Sequence, residues 1–80
     1  MRNITNVKVL DDYQLELTFD NNVIKTKDMK PYLDKGIFKK IKKKDVFESV
    51  KISFGTIVWE DEIDLCADYL YETSVKKDEE

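Results

Sequence analysis

Three groups of side chains carry chemical potential in this 80-residue chain: the acids Glu60, Asp61, Glu62 and Asp64, the basic run Lys39 to Lys44, and the lone Cys66. Clustered carboxylates can hold a hard divalent cation, but the D-x-D-x-D-G order of a calcium loop is missing, so a solvated turn is the plainer reading. Asp64 then falls where it would cap or pre-charge a following helix. The run KKIKKK could contact phosphates by charge alone. Against that, Arg2 is the only arginine, and nothing in the run supplies the side-chain fork that reads bases. With Phe38 and Ile41 interleaved, the lysines read as the solvated side of a partly buried segment. Cys66 has no histidine anywhere in the chain to activate it and no second cysteine to bridge, so it is expected to be a small buried apolar residue.

The absence of histidine removes the commonest general base, and the two glycines, Gly36 and Gly55, are too far apart for any phosphate-cradling loop. Neither a catalytic constellation nor a cofactor motif emerges, and none is expected. Hydrophobic residues make up 41% of the chain and charged residues 39%, a globular balance with no apolar run near the roughly 20 residues of a membrane span. No membrane association and a cytoplasmic location are expected. In a chain this short, which buries only roughly 60–65% of its unfolded surface, Trp59 is expected in the core or at its rim.

The elements that must position these groups follow from periodicity. Val7 and Val9 share a face; Tyr13, Leu15, Leu17 and Phe19 alternate with polar residues; VIKTKDM reads as a third strand. With turns at Asp11-Asp12 and Asp20 to Asn22, residues 4–29 form a three-stranded meander with one polar face. Pro31 ends the third strand. Leu33, Ile37 and Ile41, then Val46, Phe47 and Val50, take helical spacing that Gly36 breaks into short pieces, with Asp45 in the first turn of DVFESV. Two β-rich runs around Phe54-Gly55-Thr56 read as a hairpin or bulged bend, and a final short helix spans about residues 65–73. Tyr69 and Tyr71 point different ways on that helix, so at least one should reach the surface. The expected fold is α+β: a small antiparallel sheet, made of the meander plus a later hairpin, with two or three short helices. Residues 1–75 form a single domain and 76–80 a frayed charged tail.

Charge is segregated along the chain: −2 over residues 1–24, +6 over 25–51, and −7 over 60–80. The acidic end and the basic middle therefore suit different partners.

The ordered set Val7, Leu10, Asp12, Tyr13, Leu15, Leu17 and Phe19 opens a pattern that continues through Asp28, Pro31, Leu33, Gly36, Phe38 and Phe47. It closes on GTIVW, with Gly55, Thr56, Ile57 and Trp59, and on Asp64, Leu65, Asp68, Leu70 and Tyr71. In this the chain resembles domain-of-unknown-function family 2442, a group of small prokaryotic proteins. The resemblance implies an α+β domain, often encoded beside another small gene and suggested to be the antitoxin half of a toxin/antitoxin pair. Some relatives carry an added helix-turn-helix segment, for which residues after 72 leave no room. Glu60 stands where the family usually has a proline after the tryptophan, and Ala67 where a proline often precedes Asp68.

The resulting expectation is a non-enzymatic protein-binding module that neutralises a small toxin encoded nearby by direct contact. Its partner-facing residues are expected to be Glu60, Asp61, Glu62, Tyr71 and Glu72. The alternatives are a nucleic-acid-associated regulator using the basic patch Lys39, Lys40, Lys43 and Lys44, or a small-ligand-binding domain; nucleic acid is not expected to bind this chain alone.

Overall fold

The computed structural model describes residues 2–60 and 63–76. Strands β1 (Ile4–Leu10), β2 (Gln14–Phe19) and β3 (Ile24–Asp28) form the expected antiparallel meander. The first turn sits one residue later than the sequence suggests. Asp12 and Tyr13 both take the left-handed region, with φ of 63° and 59°. Tyr13 is held there by its hydroxyl donating to the Lys42 carbonyl, by its own carbonyl accepting from Met29 N–H at 2.9 Å, and by an edge contact to Phe47. At the second turn the Asn21 side chain accepts from Val23 N–H at 3.2 Å, and Asn22 turns the chain at φ 67°.

Pro31 opens a short 3-10 turn, Lys30–Tyr32, and a 3-10 helix follows over Gly36–Lys42. Gly36, at φ 49°, reverses the chain between them, as its position suggested. With three residues per turn, Phe38 and Ile41 share the inner face, and Ile37, expected on the apolar stripe with Leu33 and Ile41, is left 51% exposed. Helix α1 (Lys44–Phe47) carries Asp45 in its first turn. Then β4 (Lys51–Ser53) and β5 (Thr56–Trp59) form a hairpin whose two loop residues, Phe54 and Gly55, both have positive φ.

Two later elements were not foreseen. Ile63–Leu65 is a strand, β6, that adds to β5, so Asp64 pairs with Val58 and does not cap the last helix. That helix, α2, runs Ala67–Thr73 and starts two residues later than its apolar spacing suggested. Its N-cap is Cys66, whose sulfur accepts from Tyr69 N–H at 3.4 Å; the thiol is exposed, not buried, because the cap position faces outward. Val75–Lys76 forms β7, which pairs with β3.

The sheets are ordered β1-β2-β3-β7 and β4-β5-β6. Between them lies one core, with Leu15, Leu17 and Phe19 from the first sheet, Ile57, Trp59 and Ile63 from the second, and Met29, Ile41, Phe47 and Leu70 from the connecting elements. Trp59 is buried as expected; its indole N–H donates to the Phe47 carbonyl at 3.0 Å and its ring stacks on Phe47. In β3 the core-facing positions are lysines. Lys25 lies opposite Leu17 and Lys27 opposite Leu15, so both stems cover the edge of the core while their ammoniums reach α2. No helix among the described residues is long and apolar enough to cross a membrane.

Candidate functional site

The segment Arg2–Ile4 joins the start of β1 to three other parts of the chain. Ile4 N–H donates to the Gly55 carbonyl at 2.8 Å, joining β1 to the β4-β5 hairpin tip. Asn3 exchanges bonds with the Asp20 turn, its N–H reaching Asp20 Oδ2 at 3.2 Å and its carbonyl accepting from Asp20 N–H at 2.9 Å. Arg2 N–H donates to Asp68 Oδ1 at 2.7 Å, tying in α2, and its guanidinium pairs with Asp20 at 3.3 Å. This clasp is exposed, and it borders a shallow groove of about 560 Å3 lined by Arg2, Asp68, Tyr71 and Glu72.

Tyr71 forms the inner wall of that groove and is half-buried. The Arg2 guanidinium lies 4.4 Å from its ring centroid and the Lys25 ammonium 3.8 Å; the Phe19 ring meets it edge-on at 5.0 Å. Its hydroxyl accepts from the Asn21 amide at 3.0 Å. With these partners Tyr71 helps fasten α2 to the first sheet. Glu72 is exposed on the same groove.

Of the expected partner-facing residues, Tyr71 and Glu72 come together here. Glu60 does not join them: it lies, exposed, in a separate depression with Lys40, Lys43 and Val46. Asp61 and Glu62 lie outside the described residues. The lysines of the basic patch are all exposed but do not converge, since Lys40 and Lys43 flank Glu60 whereas Lys44 borders a cleft of about 230 Å3 with Asp11, Glu48 and the Phe47 ring.

What the sequence did not reveal is Phe54. It stands immediately before Gly55, which abuts the clasp, and it is wholly exposed, more than any other large apolar residue described. The only signal is loop length: a two-residue hairpin loop forces its first residue to positive φ, and a side chain there projects from the tip. Phe54 thus projects from the hairpin tip that Ile4 joins to β1, while the clasp and groove carry Asp20, Asp68 and Glu72 against Arg2 and the Lys25 ammonium. No three of His, Cys, Asp and Glu gather among the described residues as a cation would need.

Residues 4–76 match the family described as protein of unknown function (DUF2442). No curated protein and no solved structure matches the chain.

Proposed function

The chain belongs to the family of proteins of unknown function DUF2442, and from that premise we propose that it is a non-enzymatic protein-binding module, an antitoxin-like partner that covers and neutralises a small basic toxin. Phe54 is the observation that carries the reading. A phenylalanine at φ 52° and in full contact with water contributes no burial to folding and sits in a backbone region that bulky residues avoid. Asparagine or glycine would serve the turn better. A phenylalanine there gains its contact from another molecule, and the acids of the clasp and groove, joined to the hairpin tip through Ile4, suit a protein with a basic surface, as one acting on RNA would carry.

The test is binding kinetics between the purified chain and the product of the neighbouring small gene, at low and moderate salt, with growth rescue on co-expression. Phe54→Asn is expected to speed dissociation, and Glu72→Lys to slow association, because charges at a rim act mainly on encounter. A neighbour harmless to cells that forms no complex at micromolar concentration would remove the antitoxin reading.

A further inference from the structure

Two residues apart on a helix are about 200° apart, so α2 turns Tyr69 away from the face that holds Tyr71. There the Tyr69 and Tyr32 hydroxyls meet at 2.5 Å, and the Tyr32 ring packs at 5.7 Å and 65° against Phe38, which follows the exposed Ile37. Tyr69 is itself 43% exposed. The result is a connected row of three rings across α2 and the two 3-10 segments, with Ile37 exposed beside Phe38 in the chain. The charges of the two 3-10 segments are mostly positive, with Asp34 between them, and Glu72 lies one turn after Tyr69 on α2. Lys27 lies beneath, 5.1 Å from the Tyr32 centroid and 5.4 Å from that of Tyr69, while Lys35 and Lys39 are exposed on the flanking segments. Lys35 sits between the two rings in the chain, its N–H donating to the Tyr32 carbonyl at 3.0 Å and its carbonyl accepting from Phe38 N–H at 3.0 Å. The bond to Tyr32 holds the Tyr69 proton above the ordinary range. The nearby acid Asp34 is already held by Lys42 at 2.9 Å.

We propose that this lysine-flanked stripe is a second docking surface, for an acidic protein segment that seats apolar side chains on Ile37 and the ring edges while its carboxylates reach Lys35 and Lys39. Tyrosine and other aromatic rings are the residues that anchor protein interfaces, and the predominance of lysine on the 3-10 segments selects the partner's charge. Single-stranded nucleic acid fits less well. Base stacking needs open ring faces, whereas Tyr32 and Phe38 meet edge to face, both are half-buried, and Lys27 lies against the rings. The surface includes neither Phe54 nor Tyr71 and stands or falls apart from the antitoxin reading.

The experiment is an NMR titration of the isotope-labelled chain with a short synthetic peptide of glutamates carrying two leucines. Three controls accompany it: the same peptide with serines for leucines, one with lysines for glutamates, and a short oligothymidylate. Shifts confined to residues 31–42 and the Tyr69 side of α2 are expected, with binding weakened about tenfold by the serine replacement and lost with the lysine peptide. Ile37→Ser should weaken binding comparably while leaving the thermal midpoint nearly unchanged, and Lys35→Glu with Lys39→Glu should abolish it. Equal binding of the serine peptide would reduce the effect to diffuse charge and overturn the proposal. So would tighter binding of the oligothymidylate at the same residues, self-association that covers the stripe, or shifts located elsewhere.

Discussion

The Lys27 ammonium donates to the Thr73 hydroxyl at 2.8 Å, fixing the last turn of α2 to strand β3. Two positions earlier on the same face of β3, Lys25 donates to the Tyr71 carbonyl. Both lysines therefore sit at the C-terminal end of α2, where the helix leaves carbonyls unpaired and favours positive charge. Lys27 is 7% exposed, so its hydrogen bond is sheltered from water. Lys27→Ala is expected to lower stability by about 2 kcal/mol in urea denaturation, and Lys27→Met, which keeps the stem, to recover part of that loss. An unchanged midpoint for Lys27→Ala would show that the lysine does not fasten the helix.

Trp59 bridges the second sheet and α1, stacking on Phe47 at 6.2 Å and donating to its carbonyl. Trp59→Ala removes the largest side chain of the core and leaves a cavity, so a loss of about 3–5 kcal/mol is expected. Trp59→Phe should cost less, since most of the volume stays and the indole bond alone is lost. Chemical denaturation followed by circular dichroism gives both values; a loss below about 1 kcal/mol for the alanine variant would mean that the ring packs little of the core.

Where burial follows strict alternation, the sequence was readable: Leu15, Leu17 and Phe19 are the buried residues of β2, and the meander around them has the expected strands. Alternation misleads at β3. Its lysines look like a solvent face, yet the register sets them opposite Leu15 and Leu17, and only long stems make that affordable. Inward charge on a strand near a sheet edge also discourages pairing with foreign strands, which a pattern search does not anticipate. Ile63–Leu65 was hidden because three residues are too few to show a period, and the neighbouring Leu65/Tyr69 and Cys66/Leu70 spacings imitate a helix. Of the candidate site, the acids and Tyr71 were visible as residue types. Their grouping around Arg2 depends on contacts between residues 18 and 66 positions apart, which no local window contains.

The end of β3 carries an electrostatic tie whose pH behaviour has a definite sign. Asp28 Oδ1 accepts from the Lys30 N–H at 3.0 Å and pairs with the Lys30 ammonium at 3.1 Å, which holds the Asp28 carboxyl below its ordinary value of 3.8. A depressed folded-state value contributes stability above the unfolded value and loses it as pH falls through the folded one. Asp28→Asn should therefore be less stable than the parent at pH 7, and the gap should narrow as pH falls below about 3.8. The exposed setting and added salt both keep the effect small. Denaturation midpoints of the pair across acid pH provide the check, and a gap that does not change with pH would contradict the tie.

At the β4-β5 tip, folding and association make opposite demands on one residue. Phe54 at φ 52° and Gly55 at φ 76° form a turn that needs two left-handed residues. An ordinary L-residue loses roughly 1–2 kcal/mol there, and asparagine adopts it more readily. Phe54→Asn gives up no burial, because the ring is wholly exposed, so the variant is expected to be more stable than the parent by up to about 1 kcal/mol. Gly55→Ala should act in reverse. It adds a strained residue, and its Cβ would collide with the Asn3 side chain, so a loss of about 1–2 kcal/mol is expected, with loosening of the clasp. Urea denaturation separates the two variants, and the same Phe54→Asn protein carries the functional comparison. A stabilised variant that also dissociates faster from its partner would show the ring to be retained for binding. A destabilised Phe54→Asn would show instead that the ring supports the fold, and the case for a docking residue at the hairpin tip would fail.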